Sequence, residues 1–318
     1  MARTSILEGS DGDRPGIAAA MMLAALLVLS LQDSIIRVAG ANSTLWQFQF
    51  LRSVGNVLLL LLVARVVWGT APKRPKRLWA VVLRSLLLLA ATLLFFGGVP
   101  TLTMAEMAAG LYTFPIFVTL LSAAILGERV GPRRIGAVLA GAVGAMLILQ
   151  PASAGFSWLK LMPVGAGLCY AGVVIVTRRH CRGESAVTLA LGVGIAYVAA
   201  SALALALLWL IPLGAAAEAS MPFLARGWVP LEAWVLGLAV LCSVLNVFAN
   251  LGLTMAYQNA ESSWLAPFDY TYLVFATLWG LAIFGDFPNL PMLAGMALIA
   301  GAGAFTAWRE RQLSRAGQ

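Results

Sequence analysis

About ten apolar runs, each roughly 17 to 28 residues long, fill almost all of this 318-residue chain. The hydrocarbon core of a bilayer is about 30 Å thick, and a helix needs roughly 20 apolar residues to cross it. Lipid offers backbone groups no hydrogen bonds, so crossings of this kind must be helical. The sequence therefore predicts an all-α integral membrane protein with ten transmembrane helices, at 17–38, 44–67, 79–98, 101–126, 134–150, 161–178, 186–211, 232–256, 261–284 and 290–308.

The composition excludes a water-soluble core. Hydrophobic residues make up 61% of the chain and charged residues 11%, whereas soluble domains carry about 25% charged residues. The net charge of +8 does not indicate nucleic-acid binding, because the basic residues lie in short loops and form no stripe. Three cysteines without metal or disulfide spacing and one histidine, His180, predict no cofactor and no metal site. The expected partners are membrane lipids and a small-molecule substrate.

Lysine and arginine predict the orientation, because cytoplasmic loops of membrane proteins carry an excess of both. If ten spans alternate, sixteen basic residues fall on one side and only Arg37, Lys160 and Arg226 fall on the other. The richer side holds both tails, 1–16 and 309–318. We therefore expect both termini in the cytoplasm.

The two halves of the chain share short motifs in the same order. Leu-Thr-Met-Ala at 102–105 recurs at 253–256, and the span after each copy ends in glycine and an acid. We predict two five-helix repeats, 17–150 and 161–308. An odd number of crossings inverts the second repeat in the membrane, a plan found in many secondary transporters.

Longer motifs also follow one order in both halves. Phe-Pro-Ile-Phe-Val at 114–118 precedes Leu-Gly-Glu-Arg at 126–129, and Ala-Pro-Phe-Asp-Tyr at 266–270 precedes Phe-Gly-Asp-Phe-Pro at 284–288. With these motifs the whole chain resembles the drug/metabolite transporter superfamily, EamA-type. The segment 33–52 is similar to that of a bacterial branch that includes transporters for S-adenosylmethionine and related metabolites.

The resemblance implies ten helices in two inverted five-helix repeats, placed in a bacterial inner membrane. It also implies a central cavity lined mainly by spans three, four, eight and nine. Substrates in the family include amino acids, nucleotide-linked compounds, quaternary amines and drugs, so the family narrows the class of ligand without naming it.

Two charges inside the apolar runs lead the list of candidate substrate contacts. A charge at the centre of a spanning helix costs about 2.5–3.5 kcal/mol, so charges kept there commonly have a function. Arg84 on span three and Asp269 on span nine lie roughly 10 to 12 Å from the cytoplasmic side, at ~1.5 Å per residue. Asp269 is the best candidate to bind a cationic group or to carry a coupling proton. The alternative is a permanent Arg84–Asp269 bridge.

Two further sets of residues are candidates for substrate binding. Asn246 and Asn250 are one turn apart and share a helix face, which serves either a substrate or helix–helix packing. An aromatic wall that binds cations is expected from Tyr112, Trp264, Tyr270 and Tyr272. Trp264 also fits an interface anchor, because it lies near a span end.

Gating or coupling is the expected role of a third set: Asp33, Arg52, Glu106, Pro115 and Pro267. Asp33 and Arg52 lie at a similar depth on neighbouring spans and are able to pair, although Arg37, one turn from Asp33, competes for the same carboxylate. Glu106 lies one turn into span four near the outer face, where exposure at the rim is the alternative to a role at the site. The two prolines free backbone carbonyls and act either as hinges or as static kinks.

We predict a secondary transporter, not an enzyme, that moves a small polar, zwitterionic or cationic metabolite by alternating access. The chain has no phosphate-cradling loop of the Walker type, so transport is not expected to use ATP through this chain. The alternatives are a channel or structural membrane scaffold and, less favoured because histidine is scarce, a membrane-embedded enzyme. The coupling ion is open between a proton, an exchanged metabolite and none, and a homodimer is also left open.

Overall fold

Helices make up the regular structure of the described chain. In this computed structural model, the described residues are 15–66, 74–127, 132–150, 157–181, 183–259, 265 and 268–316. A 3-10 turn at Trp158–Leu161 leads into the seventh α-helix. The helices are α1 (Pro15–Ala39), α2 (Leu45–Val66), α3 (Leu78–Gly97), α4 (Met104–Leu111), α5 (Phe114–Leu126), α6 (Pro132–Leu149), α7 (Met162–His180), α8 (Ala186–Leu210), α9 (Ala215–Ser220), α10 (Pro222–Ala225), α11 (Ala233–Asn259), α12 (Thr271–Phe284) and α13 (Leu290–Ala316).

The protein is a multi-pass membrane protein. Among the described residues, seven helical stretches are long and apolar enough to cross a bilayer: Gly16–Ala39, Leu45–Val66, Leu78–Gly97, Met104–Leu126, Trp158–His180, Ala186–Leu210 and Ala233–Ala256. Three shorter apolar helices are Val138–Leu149, Thr271–Phe284 and Leu290–Ala302. These elements lie where the sequence predicts spans. The loop between α8 and α11 carries the two short helices α9 and α10.

The loops gather at two opposite ends of the helix bundle. At one end, which we call the Asp286 end, the Asn42 amide donates to Glu232 at 2.9 Å and the Gln150 amide to Asn289 at 3.0 Å. The Trp234 indole N–H and the Asn42 amide lower the pKa of Glu232 below its usual value. This end therefore holds the loops after α1, α6, α8 and α12.

At the other end, which we call the Glu184 end, lie the segment before α3, the end of α5 and the loop after α7. The backbone N–H of Arg77, before α3, donates to the Glu184 carboxylate at 2.8 Å. Arg179, at the end of α7, donates to the backbone carbonyl of Ile125 at 2.8 Å. Helix α8, for example, thus runs from the Glu184 end of the bundle to the Asp286 end.

Helices of the two halves pack in matching pairs. In chain order, α1, α2, α3, α4–α5 and α6 correspond to α7, α8, α11, α12 and α13. The contact of α1 with α11 then corresponds to that of α7 with α3, and α2 with α11 to α8 with α3. Three further contacts each join a helix to its own counterpart in the other half: α2–α8, α4–α12 and α6–α13. Exchanging the halves therefore leaves the main packing pattern unchanged.

The fourth span is interrupted near its middle. Tyr112 and Thr113 separate α4 from α5, and Pro115 follows in the first turn of α5, where it supplies no backbone N–H. The Thr113 hydroxyl donates to the backbone carbonyl of Gly110 at 2.7 Å. Helix α7 packs closely here, because a Cβ at Gly167 would lie 2.9 Å from the Leu111 carbonyl oxygen. In the second half, a turn at Tyr270 comes directly before α12.

Candidate functional site

Five aromatic rings meet where the interrupted fourth span faces the start of α12. Tyr112 stacks on Tyr272, with ring centroids 5.2 Å apart and planes at 18°, and lies 5.8 Å from Tyr270. Phe114 packs 5.8 Å from Tyr112 and, edge-on, 5.1 Å from Tyr170 of α7. We call these residues the aromatic cluster. Three of the four residues predicted to form an aromatic wall, Tyr112, Tyr270 and Tyr272, therefore lie together, with Phe114 and Tyr170 beside them.

A buried carboxylate adjoins the aromatic cluster. Asp33 of α1 is 9% exposed, and its Oδ2 accepts a hydrogen bond of 2.5 Å from the Tyr272 hydroxyl. Its Oδ1 accepts a longer bond of 3.4 Å from the Gln32 amide. Since Tyr272 stacks on Tyr112, Asp33 is linked through one hydroxyl to the interruption of the fourth span.

Asp33 and Arg52, whose similar depth allows a direct pair, form no salt bridge with each other in the described structure. The Arg52 guanidinium donates instead to Gln49, one turn earlier on α2, at 2.9 Å. The Tyr272 hydroxyl takes the position beside Asp33 that the prediction assigned to Arg52. Arg52 is 4% exposed and still lies within electrostatic range of Asp33.

The permanent Arg84–Asp269 bridge, the alternative to substrate contacts, does not form between these two described residues. Arg84 Nε donates to the Thr177 hydroxyl of α7 at 2.9 Å. Among the described residues, the ionisable groups that interact electrostatically with Arg84 are Tyr170, Cys181 and Tyr197, and Asp269 is not one of them. The equal depth estimated from sequence carries no information on rotation about the helix axes, which decides whether two side chains meet.

Tyr170 is within electrostatic range of both of these charges. Its hydroxyl interacts with Arg84 and with Asp269. The side chain is 37% exposed although Phe114 packs against its ring. A cation and an anion thus both act on an aromatic residue of the cluster.

Asn246 and Asn250 hydrogen-bond to each other along α11. The Asn250 amide donates to the Asn246 side-chain oxygen at 2.6 Å and to the Asn246 carbonyl at 2.8 Å. Asn250 is exposed and Asn246 is half-buried. The two side chains lie on one face of α11, as their spacing predicts. Within the described residues, no contact joins them to the aromatic cluster.

Glu106 has a structural setting at the Asp286 end. Its carboxylate accepts from the backbone N–H of Thr103 at 2.9 Å and completes a capping box at the start of α4. It also pairs with Lys160 at 3.0 Å, and its side chain is only 12% exposed. The expected exposure at a rim is therefore wrong, because two partners hold the carboxylate inside. The other gating and wall candidates, Pro267 and Trp264, lie outside the described residues.

Sequence reasoning missed an ion pair at the same end. Arg37 pairs with Asp286, and its guanidinium also lies 4.1 Å from the ring centroid of Phe284. Arg37 therefore does not compete for Asp33. The basic residue and the acid that follows Gly285 were both visible in the sequence, but only the packing of α1 against α12 brings them together.

The apolar bundle, with a polar and aromatic interior at an interrupted span, defines a membrane transport protein. Residues 16–150 match the EamA-like transporter family, and with its transporter relatives the chain is similar to the EamA-type drug/metabolite transporter superfamily. A riboflavin transporter of Rhizobium johnstonii is 29% identical over 86% of this chain and 83% of its own. An S-adenosylmethionine uptake transporter of Rickettsia prowazekii is 21% identical over 91% of this chain and 92% of the transporter's own length.

A crystal structure of a protein 20% identical to this chain has the same fold. The match has a TM-score of 0.59 and covers 93% of this chain and 97% of the other. The backbone arrangement described above is therefore shared along nearly the whole length of both chains.

Proposed function

We propose that this protein is a secondary transporter that moves a small polar, zwitterionic or cationic metabolite across a bacterial inner membrane by alternating access. The observation that carries the proposal is the aromatic cluster at the interruption of the fourth span, with Arg84 and Asp269 both within electrostatic range of Tyr170. Interrupted spanning helices near the midplane are where secondary transporters commonly bind their substrates.

The packing supports a membrane plan of ten crossings in two inverted five-helix repeats, 17–150 and 161–308. The seven long and three shorter apolar helices supply the crossings. Loops that alternate between the Asp286 end and the Glu184 end fit an even number of crossings. A packing pattern unchanged by exchange of the halves is what two related five-helix units would produce. With the positive-inside rule, this plan places both termini in the cytoplasm.

The relatives suggest a substrate with a flat ring. Riboflavin and S-adenosylmethionine, after which two relatives are named, both contain a heteroaromatic ring system. Such a ring is able to stack on aromatic side chains such as Tyr112 and Tyr170. The polar or charged remainder of the molecule would then reach Asp269 and Arg84.

The first experiment is a thermal-shift screen of the purified protein with riboflavin, S-adenosylmethionine, amino acids, betaines and nucleotide sugars. Asp269→Asn is measured beside the wild type. A compound that raises the Tm of the wild type but not that of folded Asp269→Asn identifies the substrate class and supports Asp269 as a contact. A compound that stabilises both shows that Asp269 does not contact it.

Transport itself is tested by counterflow in proteoliposomes with the compound that binds. A carrier shows saturable uptake that is accelerated by unlabelled substrate inside, whereas a channel shows neither. We expect Tyr112→Ala to raise KM roughly ten- to hundred-fold, since stacking of a base on an aromatic ring contributes about 1–3 kcal/mol. Trp209→Ala is the matched control, because Trp209 is 80% exposed at the end of α8. Uptake without saturation or counterflow would contradict the proposed function.

A further inference from the structure

The guanidinium of Arg84 is held in one orientation by α7. Its Nε donates to the Thr177 hydroxyl at 2.9 Å, and that hydroxyl donates its own proton to the Val173 carbonyl at 2.7 Å. The hydroxyl oxygen is therefore left as an acceptor for Arg84, so the two bonds are compatible. With Nε fixed, the direction of the two terminal nitrogens of the planar group is also restricted.

The charge that Arg84 presents has no counter-charge close to it. The Nη1 atom is buried and makes no hydrogen bond within the described part of the chain. The ionisable neighbours in that part, Tyr170, Cys181 and Tyr197, are phenols and a thiol, which are neutral at pH 7. An unpaired cation inside a membrane protein is costly and is commonly retained for function.

Arg52 shows the contrast within the same protein. Arg52 is buried, and its Nε also makes no hydrogen bond within the described residues. Gln49, however, accepts from its guanidinium at 2.9 Å, and the Asp33 carboxylate lies within electrostatic range. Arg52 therefore has protein groups that offset its charge. Arg84 alone of the two has only neutral groups around it among the described residues.

We propose that Arg84 binds an oxyanion, a carboxylate or phosphate group, of the transported molecule. Guanidinium carries donors only, and its fork matches the two oxygens of such a group. Tyr170, which is within electrostatic range of Arg84, packs against Phe114 of the aromatic cluster and is also within electrostatic range of Asp269. The proposal rests on the proposed function and narrows it: the substrate carries an anionic group, and its cationic group, where present, lies toward Asp269.

The first test uses simple anions and needs no transport. The Tm of the purified full chain is measured in sodium phosphate, sodium acetate and sodium chloride of equal ionic strength, and with added phosphatidylglycerol. We expect phosphate or acetate to raise the Tm above that in chloride for the wild type and for Arg65→Gln, whose arginine is exposed at the end of α2. Arg84→Gln should lose most of that rise.

Two further variants keep this test decisive if Arg84→Gln does not fold. Arg84→Lys retains the charge without the planar fork, and Thr177→Val removes the acceptor that orients Nε, so both should weaken the response. An equal response of wild type and all three variants would overturn the proposal. Stabilisation by phosphatidylglycerol alone would also overturn it, because the oxyanion would then belong to lipid rather than substrate.

The second test compares ligands that differ by one anionic group. S-adenosylmethionine is paired with its decarboxylated analogue, and flavin mononucleotide with riboflavin. We expect the anionic member of the pair that binds to lose roughly ten- to hundred-fold in affinity in Arg84→Gln, as for a charged hydrogen bond. The member without the oxyanion should lose little. A wild type that transports nothing contradicts the proposed function, whereas an unchanged ratio within a pair contradicts only the role of Arg84.

Discussion

At the scale of single residues, the Tyr272 hydroxyl has the most consequential position. It donates to the buried Asp33 carboxylate, while its ring stacks on Tyr112 at the interrupted span. One side chain thus connects α1 to the place where we expect substrate. A change in the charge of Asp33 would therefore act directly on the aromatic cluster.

Tyr272→Phe tests this link, because phenylalanine keeps the stacked ring and removes only the hydroxyl. We expect a loss of about 1–3 kcal/mol in stability, since the buried Asp33 Oδ2 is left without its donor. The measurement is thermal unfolding of wild type, Tyr272→Phe, Asp33→Asn and the double variant. If the two single effects simply add, the hydrogen bond contributes nothing and this interpretation is wrong.

At the scale of helices, the crossing of α6 and α13 depends on two glycines. A Cβ at Gly295 would lie 2.5 Å from the Gly144 carbonyl oxygen, and one at Gly144 would lie 2.7 Å from that of Gly295. The two backbones therefore touch directly, as small residues allow in membranes. A Cβ at Gly301, one and a half turns further along α13, would meet nothing within 4 Å.

Gly295→Ala should therefore destabilise the protein by about 1–3 kcal/mol, the usual cost of overpacking. Gly301→Ala is the matched control and should be neutral or slightly stabilising, because alanine favours helix over glycine by about 1 kcal/mol. Comparison of the two Tm values in the same detergent measures the difference. Equal Tm values would show that α6 and α13 separate without cost.

At the scale of the whole molecule, the loops define two faces of the bundle. Ala41 lies on the exposed loop at the Asp286 end, and Lys76 is exposed before α3 at the Glu184 end. The proposed orientation places the first outside the cell and the second inside. We expect a membrane-impermeant thiol reagent to label Ala41→Cys but not Lys76→Cys in intact cells whose three native cysteines are replaced. The reverse labelling would overturn the predicted orientation.

The pair Arg37–Asp286 joins the first helix to the loop after α12, across most of the chain's length. Both side chains are about one-fifth exposed, at 18% and 20%. We expect Asp286→Arg to lower the free energy of unfolding by about 1 kcal/mol, the upper part of the range for such pairs. The double variant Arg37→Asp/Asp286→Arg should recover part of this loss, because it restores opposite charges. Thermal unfolding of both singles and the double swap measures this. A double variant no better than either single would show that the pair does not contribute.

Several features were readable from the sequence because they depend on local pattern. The apolar runs predict the helices to within a few residues over most of the chain, and the turn residues predict their ends. Three residues of the aromatic cluster, Tyr112, Tyr270 and Tyr272, were also named from the sequence, because tyrosines within apolar runs offer ring faces to a cation. Tyr170 was missed, because a single tyrosine in an apolar run carries no signal of what it faces.

The pairing of charges shows where such reasoning stops. Depth along a helix follows from counting residues at ~1.5 Å each, so Asp33 and Arg52 were placed at similar levels. Which way each side chain points about the helix axis depends on the packing of neighbouring helices, which no single run encodes. The sequence by itself therefore determined a polytopic helical membrane protein with a few polar residues inside. Only the tertiary structure decided that Asp33 meets Tyr272 and that Arg84 lies without a counter-charge.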